Sequence, residues 1–397
     1  MHLKRRRTDA IDPAELTPFL SASGLSRLKE LDKDDAARVL AQLQVLTDVS
    51  DREIKKARAT LPSFSAATWQ DLAGQYGLPT KYNARKLHQH RVPMCYLPPS
   101  FHTELFVSSW RAADVYMDKI YQKREAARVR VLEPYILPLI ALFHGRVVDK
   151  PEDPMPDTEE TSGGEVEHEV FAIGDALFFV IEVKLLAPQE ERNAAQLFME
   201  LLSAARSNQD TRQKVRVYGL LTDLSRFAFF SYDPVGQRFA FDEEFVADGP
   251  REQFLTRMIP VTNKIFSVLL AGYIEVLQTN PEDEVRETEH MNGTIRPTLN
   301  NSHQSANGDG DPRLALQLAN EAKVCLTESA SDFDALETRG REGLRKLEQS
   351  VLAVPRGTDA YMDVQEPKSA EELASLASRL VREWHEKRAR PPSVPGS

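Results

Sequence analysis

The chain has 397 residues, more than one hydrophobic core usually fills, so we expect one main domain with additional helical and polar segments. Its 41% hydrophobic residues are enough for a globular core, and no apolar run approaches the length of a membrane helix, so we expect no membrane partner. Two cysteines, Cys95 and Cys325, exclude a disulfide framework and a cysteine-ligated zinc site.

Residues 1–100 are predicted to form a helical N-terminal extension. In residues 25–46 (LSRLKELDKDDAARVLAQLQVL), apolar side chains recur at three- and four-residue intervals, as on one face of a helix. The basic cluster Lys4–Arg7 has no apolar segment after it, so no secretory signal is visible. We therefore expect an intracellular protein of the nucleus or cytoplasm, in which this cluster is either an import signal or a solvated tail.

Charge is unevenly distributed along the chain, whose net charge is −10. Residues 81–130 contain ten Lys or Arg against four acidic residues, whereas residues 149–169 contain nine acidic residues and one lysine. The first segment is a candidate phosphate-binding surface, and exposed helix charge remains the alternative reading. Its candidate phosphate contacts are Lys81, Arg85, Lys86, Arg91 and the basic residues of 123–130.

Residues 101–280 carry the patterns of an α/β domain. A proline-broken connector at 92–101 precedes a helical stretch at 108–143, which Pro134 and Pro138 are expected to kink or end. An acidic loop, 149–164, then leads into a β-hairpin. The later elements are an amphipathic helix at 193–208, strands at 215–224, 226–234 and 237–245, and a long helix at 250–278.

The remainder of the chain divides into a linker and a helical region. Residues 281–312 contain hardly any large apolar residue, which predicts a disordered linker. Residues 313–397 are predicted to be a C-terminal helical region with a disordered tail, and one of its helices opens at the capping box Ser369–Glu372.

The hairpin EVEHEVFAIGDALFFVIEVKLL (residues 165–186) is predicted to turn at Gly174-Asp175. A two-residue turn fixes the register, and therefore which side chains share a face. The predicted opposed pairs are Glu167 with Glu182, Glu165 with Lys184, and Phe171 with Phe178. On this register one face carries Glu165, Glu167, Glu169, Val180, Glu182 and Lys184, and the other is apolar except for His168.

The opposed carboxylates of Glu167 and Glu182 require a neutralising partner, since like charges across a strand pair are destabilising. Mg²⁺, which is commonly held by carboxylates, waters and substrate phosphate, is the expected partner, with Mn²⁺ as a substitute. An exposed edge hairpin with Lys184 as a salt-bridge partner remains an alternative. Against it, the segment VIEVKLL is nearly continuous in apolar residues, as in a strand covered on both faces.

A carboxylate strand, a tight turn, an apolar strand with Glu-x-Lys and a helix with Gln together resemble the PD-(D/E)XK nuclease superfamily. The resemblance covers residues 110–280 and implies a restriction-endonuclease-like core: a mixed central sheet flanked by helices, in the order helix, three-stranded meander, helix, strand. The motifs GEVE, LFFVIEVKL, AQLFMELL and VYGLLTD are similar to those of a group of fungal proteins, and the same domain type occurs in Crinkler-like effectors.

The resemblance implies a role for each residue of this pattern. Glu182 and the acid of the preceding strand, Glu167 or Glu165, would hold the metal together with the backbone carbonyl of Val183. Lys184 would orient the attacking water and steady the phosphate, and Gln196 would face the site from its helix. The preceding strand carries Glu where the superfamily usually has Asp, which puts catalysis in doubt.

Two further acids are weaker candidates. Glu200 lies four residues after Gln196 and shares its helix face, so the pair either turns towards the site or is solvated. Glu133 is better interpreted as a surface acid than as a third carboxylate of the site.

We therefore expect a metal-dependent nuclease that acts on DNA or RNA, with nucleic acid as its partner. One alternative is a catalytically inactive nuclease-fold module that binds nucleic acid or protein. A helical adaptor in which the central domain is only a scaffold is a second alternative.

Overall fold

The structure, a computed structural model, describes residues 63–151, 154–155, 161, 163–185, 191–210, 213–279, 311–328, 330, 332–354 and 370–389. The predicted helix at 25–46, the basic cluster Lys4–Arg7, nearly all of the linker predicted at 281–312 and the C-terminal tail lie outside these residues. The described residues of 64–155 and 163–389 belong to one compact unit. The second unit, residues 1–63 and 157–162, lies almost entirely outside the described part of the chain.

Helices and strands alternate through the centre of the described chain. The helices are α1 (Trp69–Tyr76), α2 (Pro99–Tyr116), α3 (Glu125–Ala141), α4 (Glu191–Asp210), α5 (Arg251–Gln278), α6 (Pro312–Thr327), α7 (Phe333–Leu352) and α8 (Ala370–Ala389). The strands are β1 (His88–Gln89), β2 (Val147–Pro151), β3 (Pro154–Met155), β4 (Gly164–Glu165), β5 (His168–Ala172), β6 (Ala176–Val183), β7 (Val217–Thr222), β8 (Arg226–Asp233) and β9 (Arg238–Val246). Short 3-10 helices span Phe64–Ala66, Ala84–Lys86 and Lys119–Tyr121.

Seven strands form one mixed sheet in the order β1-β9-β8-β7-β6-β5-β2, and β3 pairs with β4 apart from it. Strands β2, β5 and β6 form an antiparallel meander, and β6 continues through α4 into β7, which is parallel to it. Such a crossover helix is the usual connection between parallel neighbours. The predicted α/β class, with a mixed sheet flanked by helices, is confirmed.

Helices cover both faces of the sheet. On one face, α3 and α5 pack over side chains such as Val170, Ile181 and Val183. On the other face, α4 packs over Val180 and Leu221. Every residue of β6 is buried, because the strand lies between β5 and β7 and is covered above and below. This central position explains its apolar sequence, which only Glu182 interrupts, and rules out the exposed edge hairpin.

The hairpin turn differs from the prediction. Ala172 pairs with Ala176, so three residues form the loop, and an irregularity between Val170 and Phe171 absorbs the additional residue. Phe171 consequently faces Leu177, and the predicted Phe171–Phe178 pair is wrong. Leu177 is displaced in the same way, from the predicted apolar face into the core under α4. Beyond the irregularity the predicted register holds, with His168 opposite Ile181.

The start of the hairpin also differs. Glu165 lies in β4 opposite Pro154 and is exposed, so its predicted pairing with Lys184 is wrong. Strand β5 begins only at His168, whose ring Nδ1 lies 2.7 Å from Asp149 Oδ2 in the buried meander. This contact accounts for the polar side chain on an otherwise apolar face.

The helical stretch predicted at 108–143 is two helices. It breaks after Tyr116, where Met117 has a positive φ of 67°, and resumes at Glu125. Helix α3 continues through Pro134 and Pro138, so neither proline ends it. The break therefore lies well before both prolines.

The hydrophobic core extends past the predicted boundaries. Ala315 and Leu326 of α6, and Leu347 and Val351 of α7, are buried in the same core as α5. The boundaries at residues 101 and 280 remain predictions about independent folding.

Helix α5 is long and apolar enough to cross a membrane by length and composition alone, and it is the one such helix among the described residues. Within its most apolar 18-residue window, 78% is buried inside the protein. Packing in the core therefore accounts for its apolar character.

Candidate functional site

The site lies where β6 ends. Glu182 is the penultimate residue of the strand, with a side chain that is 1% exposed, and Lys184 follows directly after the strand. Glu182 points to the face that α4 covers. Because strand side chains alternate, Val183 between them points into the opposite core.

Helix α4 brings an amide and a second carboxyl group to Glu182. The amide nitrogen of Gln196 donates to Glu182 Oε1 at 2.5 Å and to Glu200 Oε1 at 2.9 Å. Residues four apart share one helix face, which allows a single glutamine to bridge the two carboxyl groups. All three side chains are buried. The helix face predicted for Gln196 and Glu200 is therefore turned towards the site and is not solvated.

Glu167 reaches the site from the residue that precedes β5. Its Oε2 accepts a hydrogen bond from the backbone N–H of Val183 at 3.4 Å, and its carboxyl group shares a hydrogen bond with that of Glu182. The N–H and C=O of one strand residue point to the same side, so the carbonyl of Val183 also faces Glu167. The structure thus brings Glu167, Glu182 and Val183 together and leaves Glu165 outside.

Lys184 is the cation of the cluster. Its Nζ contacts Glu182 Oε1 directly and lies 3.7 Å from Glu125 Oε2, at the first turn of α3. Arg128, one turn further along α3, donates from Nη1 to the carbonyl oxygens of Lys184 and Leu185, both at 2.9 Å. The N-terminal end of α3 is therefore fixed against the end of β6. Glu133 lies elsewhere on α3, in an ion pair with Arg130 at 2.6 Å.

Burial and mutual repulsion dominate the electrostatics of the carboxyl groups. Burial raises the pKa of Glu182 well above its ordinary value, the neighbouring Glu200 and Glu167 raise it further, and Lys184 opposes them. Burial likewise raises the pKa of Glu200, to about 8, against the hydrogen bond from Gln196. Burial alone would lower the pKa of Lys184, but the carboxylate of Glu182 raises it overall. The positive charge of Lys184 therefore offsets only part of the burial and repulsion that raise the pKa of Glu182 and of Glu200.

Two carboxyl oxygens of the cluster lack donors. Neither Glu182 Oε2 nor Glu200 Oε2 accepts a hydrogen bond from an N–H or O–H donor within the described part of the chain, although both atoms are buried. A buried acceptor without a partner costs about 1–3 kcal/mol, and more if it is charged. Carboxylate oxygens are also the ligands that Mg²⁺ prefers. The donor chemistry therefore fits a divalent cation.

The arrangement is not that of a preformed metal site. Among the residues that the structure describes, no group of three or more His, Cys, Asp or Glu side chains is placed to hold a metal ion. The ammonium of Lys184 occupies the position next to Glu182 Oε1. A bound cation would thus replace the hydrogen bond between Glu167 and Glu182, and Lys184 would have to move away from Glu182 Oε1.

The predicted phosphate contacts lie in two parts of the chain, residues 123–130 and residues 81–91. In the first part, Arg128 donates to backbone carbonyl oxygens at the end of β6, whereas Lys123 and Arg124 are exposed just before α3. Lys81, Arg85, Lys86 and Arg91 lie before α2, outside the elements that build the carboxylate cluster.

Comparison with models of known protein families, with curated proteins and with solved structures finds no match to this chain.

Proposed function

We propose that the protein is a metal-dependent nuclease of the PD-(D/E)XK type, which hydrolyses phosphodiester bonds of DNA or RNA. The supporting observation is the buried cluster at the end of β6, in which Glu167, Glu182 and Glu200 crowd together beside Lys184. Such costly groupings of charge concentrate at functional sites, because folding alone gains nothing from them.

The order of elements around the cluster supports the same proposal. Helix α3, the meander β2-β5-β6, helix α4 and the parallel strand β7 follow the order helix, three-stranded meander, helix, strand that the sequence resemblance implies. The Glu-x-Lys motif lies at the end of the third meander strand, and the glutamine lies on the helix that follows.

Each residue has a distinct task in the proposed reaction. Mg²⁺ or Mn²⁺, when bound, would neutralise the carboxylates and withdraw charge from the attacked phosphate. Glu167, Glu182 and the carbonyl of Val183 would hold it. Lys184 would position the attacking water and offset phosphate charge, since an ammonium donates hydrogen bonds but is no metal ligand. Gln196 would keep the Glu182 carboxylate oriented.

A nucleic-acid-binding or protein-binding module without catalysis is the second candidate. Two observations favour it: Lys184 already neutralises Glu182 Oε1, and the described side chains offer no preformed metal site. Under this alternative the cluster would be a structural ion network of an inactive nuclease fold.

Two variants separate metal binding from cleavage. In the wild type, we expect Mg²⁺ or Mn²⁺ to raise the melting temperature, since an ion bound only by the folded state stabilises it, and to support cleavage of DNA or RNA. Glu182→Gln should lose both effects. Lys184→Met should keep the thermal shift and lose cleavage by about 10²- to 10³-fold, as when one charge-stabilising group is removed. Differential scanning fluorimetry and oligonucleotide cleavage measure the two effects.

Two variants on exposed positions are the matched controls. Glu252→Gln on α5 and Lys214→Met before β7 make the same kinds of change away from the cluster, and both should behave as the wild type. A wild type with neither a metal-dependent shift nor cleavage of single- or double-stranded DNA or RNA would exclude the nuclease. Cleavage that persists unchanged in both site variants would assign the activity to a contaminant.

A further inference from the structure

Large apolar side chains are exposed in the connection between α2 and α3, residues 116–124, which we call the rim. Ile120 is 71% exposed and Tyr121 is 58% exposed, and Tyr116 and Met117 beside them are exposed as well. Exposed apolar residues are ordinary when scattered singly, but a contiguous group indicates an interaction surface. The rim is such a group.

Buried contacts fix the backbone of the rim. Lys119 extends inward, where its Nζ donates to the carbonyl oxygens of Ala247 at 2.6 Å and Leu224 at 2.8 Å. Arg251 binds Asp118 at 2.8 Å and lies over the Trp110 ring, 4.8 Å from its centroid. Because the backbone is tied down at these points, the rim cannot fold over to bury Ile120 and Tyr121.

The rim runs directly into the carboxylate cluster. Glu125, the residue after it, lies 3.7 Å from Lys184 Nζ through its Oε2. Tyr121 is four residues before Glu125, so its backbone is at most about 14 Å along the chain from that of Glu125. A ligand bound at the cluster would extend onto the rim within a short distance.

The free charge of the rim is positive. Lys123 and Arg124 are exposed, and neither forms an ion pair within the described part of the chain. Of the nearest acids, Asp114 and Asp118 share one cation, Arg251, and Glu125 lies 3.7 Å from Lys184 Nζ. Cations interleaved with aromatic side chains are the usual composition of a surface that binds single-stranded nucleic acid.

We infer that the rim binds an unpaired strand of nucleic acid next to the cleavage site. Tyr121 stacks on a base, Ile120 extends the apolar contact, and Lys123 and Arg124 contact phosphates. The bases of a duplex are already stacked on one another, so an exposed ring finds a free base face only in an unpaired strand. The inference rests on the proposed nuclease function and specifies its substrate as single-stranded.

Fluorescence anisotropy tests this with labelled oligonucleotides of about 20 nucleotides, longer than a typical single-strand binding site. The probes are oligothymidine, oligouridine and a DNA duplex of equal length, each titrated with full-length protein in EDTA so that no cleavage occurs. We expect a single-stranded probe to bind more tightly than the duplex. Tyr121→Ala should weaken this binding about 5- to 100-fold, the usual effect of losing one base stack.

Controls separate stacking from general surface effects. Phe333→Ala removes another exposed aromatic side chain, from the start of α7, and it should bind as the wild type does. The double variant Lys123→Ala, Arg124→Ala should lower the slope of log affinity against log salt by roughly 1.4, from two lost phosphate contacts on a single strand. Lys214→Ala should leave that slope unchanged.

The outcomes distinguish this inference from the proposed function. Duplex binding as tight as single-strand binding, equal effects of Tyr121→Ala and Phe333→Ala, or no binding up to about 100 µM, the weak end of non-specific affinity, would each overturn the inference. Cleavage by the wild type alongside any of these results would leave the nuclease standing. Rim-dependent binding without cleavage in Mg²⁺ or Mn²⁺ would exclude the nuclease and overturn the inference as a statement about its substrate, leaving only a single-strand-binding surface.

Discussion

Glu200 couples the candidate site to pH. Burial raises its pKa to about 8 from an ordinary value of 4.5. Between these two pH values the folded protein retains a proton that the unfolded chain has released. The free energy of unfolding therefore decreases as pH rises through this window. The stabilising contribution of the protonated Glu200 side chain is complete only below pH 4.5.

Glu200→Gln removes this titration and keeps an oxygen that accepts from the Gln196 amide. In metal-free buffer we expect the variant to melt about 3–6 °C higher than the wild type at pH 8, and nearly together with it at pH 5. Thermal unfolding followed by circular dichroism across this range measures the difference, with Glu252→Gln as the control. A difference that is constant with pH would show that Glu200 is not the titrating group.

The resemblance implied Gln196 at the site, and the periodicity of the strand was sufficient to predict Glu182 and Lys184 as neighbours. It was not sufficient for Glu125, the acid of α3 that approaches Lys184. The break after Tyr116 has no local signal in a continuous helical pattern, and it is this break that starts α3 at Glu125. Tertiary contacts decide such a break, and sequence reasoning considered Glu133 instead.

At the scale of elements, α5 packs closely against β6 on the face of the strand opposite the carboxylates. A Cβ atom at Gly272 would lie 2.0 Å from Cδ2 of Phe178, whose ring is fully buried. Helix and strand therefore meet without space for a methyl group, and β6 is held from the face opposite the carboxylates. The position of Glu182 depends on this packing.

Gly272→Ala should destabilise the protein by about 1–3 kcal/mol, the usual cost of overpacking a core. Gly74→Ala is the matched control, because Gly74 is also inside a helix but nothing lies within 4 Å of its Cβ position. That substitution should stabilise by up to about 1 kcal/mol through helix propensity. Urea unfolding of both variants gives the comparison, and equal effects would show that α5 and β6 have room to separate.

The elements with strong local patterns were predicted well. Strands β7, β8 and β9, and helices α4 and α5, lie where alternation and helical periodicity indicated them. Strand β1 was not predicted, because His88 pairs with Ala240 across a long sequence separation and its two residues show no alternation. The turn length was wrong because Gly174-Asp175 also fits a three-residue loop once the strand contains an irregularity.

At the scale of the whole molecule, α6 and α7 are joined to the rest of the α/β core by more than apolar contacts. Arg146 donates to the carbonyl oxygen of Val354 at 2.9 Å, and the backbone N–H of Tyr96 donates to that of Leu326 at 2.7 Å. The linker composition indicated a boundary near residue 280, since polar sequence marks where the chain is exposed. The composition of this linker does not indicate whether the part of the chain that follows it packs into the same core.

The shared core predicts that a chain ending at Gln278 is severely destabilised. Such a chain loses Leu326, Leu347 and Val351 from the core, which together contribute about 5–9 kcal/mol of apolar burial, comparable with the whole stability of a typical domain. We expect it to be insoluble or to lack cooperative thermal unfolding. A chain ending at Val354 keeps α6 and α7 and should melt close to the full-length protein, which makes it the matched control. If both truncated chains unfold cooperatively at the same temperature, residues 1–278 fold without α6 and α7, and the C-terminal helices only cover a finished domain.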